Sequence, residues 1–244
     1  APIWVAYEVG EIFSSLLPET DRKSGGIHFT PPKIAEEIVH QATKQKPEIS
    51  SARILEPSAG GGVLLSAILE RLLGTGIENG KDLLVNLPSR VVAIERDPFA
   101  AWLAQIAVDL TLLRTAVVHG LELPRIVRIA DTLQQTFEND FDVVLMNPPY
   151  RRTSLNLEQR IKFGRSLYGH ANAYSLFLDQ ALRATKLDGV IAALTPTSYL
   201  SSQYFKNLRG TLRSEATLEE LGIFDSRSRV FAGIQQELAI STFR

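Results

Sequence analysis

Cysteine is absent, which excludes disulfides, thiol catalysis and cysteine-ligated zinc together. Methionine occurs once, at Met146. The four histidines (His28, His40, His119, His170) are scattered without metal-ligand spacing, so no metal site is expected. Net charge is only −1 over 244 residues, which offers no overall electrostatic pull on a nucleic acid. No apolar run reads as a membrane span, and the opening APIWVAYEVGEIF lacks the cationic start of a signal peptide. These features imply a cytoplasmic protein with no membrane partner; the start at Ala1 points to a processed or trimmed chain. What is present is an ordinary apolar fraction, 45%, enough for a sizeable core. The length suits one large domain: an N-terminal arm and first helix over residues 1–50, then a sheet core over 51–244.

Along the chain, short apolar runs alternate with helical patterns. Thr30-Pro31-Pro32 opens a helix, with Thr30 as N-cap and Ile34, Ile38, Val39 and Ala42 as its buried stripe. RILE (53–56) reads as a strand, 57–62 as a turn, and 63–73 as a helix. A loop is expected over 74–88. RVVAIE (90–95) is a strand, followed by a helix capped by Asp97 that carries Trp102, Ile106 and Leu110 on one face. IVRIA (126–130), DVVLM (142–146) and GVIAALT (189–195) are further strands. Helices are expected at 173–186 and 201–213, and two last strands near 217–224 and 236–243. The alternation predicts an α/β fold with a mostly parallel sheet, in which ligands bind beyond the carboxyl ends of the strands.

Four polar positions fall at those strand ends: Glu56, Glu95, Asp131 and Asn147. EPSAGGGVLL (56–65) is a strand, a glycine turn and a helix. Leu65 stands where a dinucleotide fingerprint needs its third glycine, and the lysine of a P-loop is missing. A pyrophosphate ligand is therefore disfavoured. Glu56 suits a cation instead, Glu95 can accept from two ribose hydroxyls, and Asp131 can accept from an exocyclic amine. An adenosine with a cationic, amine-bearing tail meets all three demands, and S-adenosylmethionine is such a molecule. NPPY (147–150) ends the fourth strand. Directly after it, residues 151–170 hold Arg151, Arg152, Arg160, Lys162 and Arg165 against Glu158 alone, a net of +4.

With these motifs in place, residues 28–243 resemble the S-adenosylmethionine-dependent methyltransferases that act on adenine N6 in DNA, in the γ order of motifs, as found in restriction–modification systems. HFTPPKIAEEIV is similar to the motif preceding the sheet, EPSAGGGVLL to the glycine motif, and VVAIERDP to the ribose-binding motif. RIADTL is similar to the adenine-binding motif, NPPY to the catalytic one, and VFAGIQQELAI to the last. The resemblance implies a Rossmann-like class I methyltransferase fold: seven strands, helices on both faces and an antiparallel last strand. It implies S-adenosylmethionine as cofactor and DNA as partner. Phe29, Thr30, Ala59 and Gly60 would lie near the methionine moiety and Glu56 would face its ammonium. Glu95 would bind the ribose, Asp131 and Thr132 the adenine, and Phe177 would pack on the ring. Asn147, Pro148 and Tyr150 would hold the target amine, with Phe231 on the other face of the base and Arg151 and Arg152 on phosphates. Two features depart from the pattern. Gly61 stands where Ser or Thr is frequent, and the chain ends at the last catalytic motif. A target-recognition domain or subunit is expected outside it.

NPPY suits such chemistry because an adenine amine is a poor nucleophile, its lone pair being delocalised into the ring. Two acceptors, the Asn147 side-chain oxygen and the Pro148 carbonyl, would localise it, and proline holds that carbonyl without a competing N–H. The base must first leave the duplex, and stacking on Tyr150 would offset part of that cost. Two other readings stay open at this stage: an amine methyltransferase acting on RNA or a protein glutamine, and a non-catalytic DNA-binding or assembly subunit.

Overall fold

The computed structural model describes residues 1–16, 29–74, 80–224 and 237–244. Its strands are β1 (Ile54–Glu56), β2 (Val91–Glu95), β3 (Val127–Ile129), β4 (Phe141–Met146), β5 (Thr185–Pro196), β6 (Leu218–Phe224) and β7 (Leu238–Phe243). They form one sheet in the order β3-β2-β1-β4-β5-β7-β6. Neighbours from β3 to β5 run parallel, and β7 lies antiparallel to both β5 and β6.

Successive side chains of a strand point to opposite faces, and the core divides accordingly. Ile54, Val91, Ala93, Val143, Leu145, Val190 and Ala192 belong to one apolar cluster; Leu55, Val92, Ile94, Val144, Met146, Ile191 and Ala193 belong to the other. The first is covered by α1 (Pro2–Leu16), α2 (Pro32–Gln45), α3 (Val63–Leu73), α4 (Gly80–Arg90) and α5 (Pro98–His119). The second is covered by α7 (Ala173–Ala184) and α9 (Lys206–Glu215); the short α6 (Leu157–Lys162) and α8 (Ser198–Ser201) lie in the connections before them. Unbroken apolar strands are what a sheet covered on both faces requires.

The structure departs from several sequence expectations. The N-terminal arm is a helix, α1, which buries Ile3, Ala6 and Gly10. The loop expected over 74–88 contains α4, because Leu83, Leu84 and Leu87 find a buried surface that local pattern alone does not reveal. Thr30 is not the cap of α2. Pro31 holds that position, no side chain caps the helix, and the Thr30 hydroxyl is left to act elsewhere. The helix expected over 201–213 is broken into α8, a 3₁₀ turn at Gln203–Phe205 and α9.

On α5 the face bearing Trp102 and Leu110 is exposed, Trp102 by 56%. The buried face is Ala100, Ala101, Leu103, Ala104, Ala107 and Val108. Close approach explains the inversion: a Cβ on Gly62 would lie 2.8 Å from the Ala104 Cα, so the glycine turn demands a small-residue face. Contrary to the sequence reading, α5 is long and apolar enough to cross a membrane by length and composition, but half of that stretch is buried inside the fold.

Candidate active site

The strand order reverses between β1 and β4, so the carboxyl ends of these strands open a crevice at the point where ligands bind in such sheets. A cleft of about 260 Å³ lies there, lined among others by Glu56, Gly60, Glu95, Asp131, Asn147 and Phe177. It brings together residues spread over most of the chain. Thr30, Ala59 and Thr132 also line it.

The glycine turn forms the floor. Gly60 has φ +52 and Gly62 φ +83, left-handed values that favour glycine. A Cβ on Gly60 would meet nothing within 4 Å, so the backbone is open to a ligand. The turn is tied to the next strand by Glu95, whose Oε2 accepts from the Gly60 amide at 2.9 Å and whose Oε1 accepts from the Asp97 amide at 2.8 Å. A carboxylate oxygen has a second lone pair, so Glu95 can still accept from a ligand. Phe29 fills the space beside the turn. A Cβ on Gly61 would lie 2.6 Å from its Cε1, and one on Gly10 of α1 2.6 Å from its Cδ1. The departure at position 61 thus has a physical reason: Phe29 stands where a Ser or Thr side chain would begin.

Glu56 is 3% exposed, and its Oε2 has no hydrogen-bond partner among the described residues. Burial, and then the charge of Glu95, push its carboxyl well above the usual carboxylate range. A buried acid without a partner beside a ligand-sized cleft calls for a cation or a donor from that ligand. With the open Gly60 backbone, this donor set fits an adenosine bearing an ammonium, the chemistry of S-adenosylmethionine. Asp131 caps the 3₁₀ turn at Thr132–Gln134, accepting from the Leu133 amide at 3.0 Å and from the Gln134 side chain at 3.3 Å. The Thr132 hydroxyl is committed to the Pro57 carbonyl at 2.5 Å, so it braces the cleft wall.

Asn147 lines the cleft. Its Oδ1 accepts from the Tyr150 hydroxyl at 2.5 Å, and its Nδ2 donates to Thr30 Oγ1 at 2.9 Å. Its backbone carbonyl accepts from the Ser58 hydroxyl at 3.3 Å, which joins the glycine turn to NPPY. Burial pushes the Tyr150 phenol well above its ordinary value, keeping it a donor. Its ring lies edge-on to Tyr174 at 6.4 Å. Pro148 is buried, and Phe231 lies outside the described residues.

Part of the basic run is engaged within the protein, while Arg152 and Arg160 are exposed. Lys162 donates to the carbonyls of Leu133 and Gln135 at 3.1 and 2.5 Å. Arg165 and Arg183 converge on Asp179, which is 0% exposed, at 2.8 Å each, and Ser166 donates to the same carboxylate at 2.5 Å. Arg151 lines the cleft itself, and its Nε is buried. Burial and then Arg96 lower its pKa, while Asp131 opposes the change. Of the two arginines assigned to phosphate, Arg152 alone is exposed. Asp179→Ala should destabilise the fold, because it leaves three donors without their acceptor. Removing one partner of a fully enclosed pair costs about 3–5 kcal/mol. The arginines here can recover water, each being about a third exposed, so roughly 2–3 kcal/mol is expected. Denaturant unfolding measures it, and a loss under half a kcal/mol would show the cluster to be incidental.

Sequence reasoning missed Ser58 and Phe13, both of which line the cleft. The spacing of Ile3, Ala6 and Gly10 was a signal for the helix that carries Phe13. Nothing local marked Ser58.

Comparison with known proteins agrees with this architecture. A structure from Listeria monocytogenes assigned as a class I S-adenosylmethionine-dependent methyltransferase superposes with TM-score 0.66 at 20% identity, covering 88% of this chain and 60% of that one. The DrdV–DNA complex superposes with TM-score 0.75 at 17% identity, covering 99% of this chain and 29% of that one. The sheet is therefore the class I methyltransferase fold. Type II methyltransferase M.BsuBI of Bacillus subtilis is 22% identical over 218 residues, 88% of this chain and 43% of the relative. The chain spans less than half the length of the curated relatives it matches. Residues 99–231, more than half of the sequence and including NPPY, match the Eco57I restriction-modification methylase description. The chain belongs to the Eco57I restriction-modification methylase family.

Proposed function

We propose that this chain is the catalytic domain of a restriction–modification enzyme that transfers a methyl group from S-adenosylmethionine to the N6 amine of adenine in DNA. The observation that carries the reading is Asn147. The residue lines the cleft, and its side-chain oxygen already accepts a hydrogen bond from a protic group. Family membership supports the methylase activity, and M.BsuBI and the DrdV–DNA complex support DNA as the substrate.

Glu56 would pair with the cofactor's ammonium, Glu95 would accept from its ribose and Asp131 from its adenine amine, while Phe177 packs beside the ring. When bound, S-adenosylmethionine supplies an electrophilic methyl carbon on a sulfonium. Asn147 Oδ1 and the Pro148 carbonyl accept the two N–H groups of the target amine, which turns its lone pair out of conjugation and toward the cleft. Tyr150, which donates to Asn147 Oδ1 and to the Leu194 carbonyl, shifts away as the base enters. Its ring then becomes available to stack on the flipped base, an interaction worth about 1–3 kcal/mol. The amine loses its proton once it has become positive, so the two acceptors need not be strong bases.

With Lys162 and Arg165 engaged in hydrogen bonds within the protein, residues 151–170 leave chiefly Arg152 and Arg160 exposed to meet phosphate. DNA grip and sequence readout are assigned to a recognition element outside residues 1–244, in the same protein or a partner subunit. Residues 1–244 should therefore bind S-adenosylmethionine but methylate DNA weakly, with little sequence preference and with activity lost as salt rises. Tritium transfer to DNA, RNA and glutamine-containing protein, with methylated DNA digested to nucleosides, tests both parts. Transfer to RNA or protein in place of DNA would replace this reading, and tight, sequence-selective DNA methylation by these residues alone would place recognition within them.

A further inference from the structure

We propose that Thr30 is a positioning residue that fixes which end of the Asn147 amide faces the target amine. The proposal rests on the reading of Asn147 as acceptor for that amine. A primary amide has two nearly isosteric orientations related by a half-turn. Only the one that presents Oδ1 can accept from an N–H; the other presents two donors to a donor and repels it. Something must select the productive orientation before the base arrives.

The distances identify the selector. The contact from Asn147 toward Tyr150 is 2.5 Å, within the range of an O–H···O bond and short for N–H···O. The contact toward Thr30 is 2.9 Å, the usual length for N–H···O. The oxygen end therefore faces the tyrosine and the nitrogen end faces Thr30. Of the two partners, Tyr150 is the one that shifts away as the base enters. Thr30 stays. It is 6% exposed, comes from a segment 117 residues away and is held at the start of α2 by Pro31 and Pro32. No cap bond at α2 competes for its hydroxyl. With Nδ2 anchored on Thr30, Oδ1 keeps its direction after the phenol departs, and the incoming amine takes the phenol's place.

The test compares Thr30→Val, which keeps the shape and removes the acceptor, with Thr30→Ser, which keeps the hydroxyl. Thr30→Val should lower kcat about tenfold, the upper worth of one hydrogen bond, a larger effect than on cofactor affinity by calorimetry. Thr30→Ser should restore kcat. In the cofactor-free protein, the Asn147 side-chain amide protons should exchange with water faster in Thr30→Val than in the wild type or in Thr30→Ser. If Thr30→Val folds too weakly, Thr30→Ala against Thr30→Ser gives the same contrast. A valine variant with wild-type kcat overturns the proposal, as does a loss confined to cofactor affinity or an unchanged amide exchange rate. The exchange measurement needs no turnover, so it decides the Thr30 contact even where the wild type methylates no DNA and the functional reading itself has failed.

Discussion

Asn147→Ala should reduce methyl transfer by about 10²–10³, comparable to deleting one preorganised hydrogen-bonding group aimed at the reacting centre. The expectation follows from position. The residue lines the cleft at the carboxyl end of β4, next to the glycine turn of β1. Alanine leaves the target amine conjugated and unaimed. Cofactor affinity should hardly change, because Glu56, Glu95 and Asp131 belong to other strand ends. The variant also removes this partner from the hydroxyls of Tyr150 and Thr30; Tyr150 keeps the Leu194 carbonyl at 3.2 Å, so a loss of about 0.5–1.5 kcal/mol, the net worth of a hydrogen bond, is expected. Single-turnover tritium transfer at saturating cofactor, on protein shown by its melting curve to be folded, separates the two effects. Near-normal turnover would mean that NPPY is only a turn here.

Glu95→Ala should weaken cofactor binding by roughly 1.5–3 kcal/mol, the worth of a hydrogen bond to a charged acceptor, or about 10–150-fold in Kd. Two losses combine in one residue. The carboxylate is the assigned ribose acceptor, and it also holds the Gly60 and Asp97 amides that shape the floor of the cleft. Glu95→Gln should fall between. Its one oxygen can still accept from one amide, but its amino group then faces the other amide as a second donor. Calorimetric titration with S-adenosylmethionine reads both variants, and an unchanged affinity for the alanine variant would remove Glu95 from the site.

The sequence alone determined the architecture and the address of the site. Strands short and apolar throughout, each followed by a helical pattern, demand a parallel sheet covered on both faces. A polar residue that ends such a strand must lie on its carboxyl rim. Glu56, Glu95, Asp131 and Asn147 could therefore be gathered from periodicity before any contact was known. The glycine turn over 57–62 was legible too, and the structure gives Gly60 and Gly62 the left-handed φ such a turn favours. Tertiary structure decided everything that depends on a partner distant along the chain. Thr30 reads locally as a helix cap, yet its hydroxyl accepts from Asn147. Lys162 and Arg165 read as a cationic surface, yet they pair with backbone carbonyls and a buried carboxylate. Trp102 and Leu110 read as the apolar face of α5, yet the helix packs through its alanines because Gly62 admits nothing larger. Local sequence encodes backbone preference and the period of burial, which are properties of neighbours. Which donor meets which acceptor, and which of two apolar faces is covered, depends on distances between segments from 14 to 117 residues apart that exist only once the chain has closed.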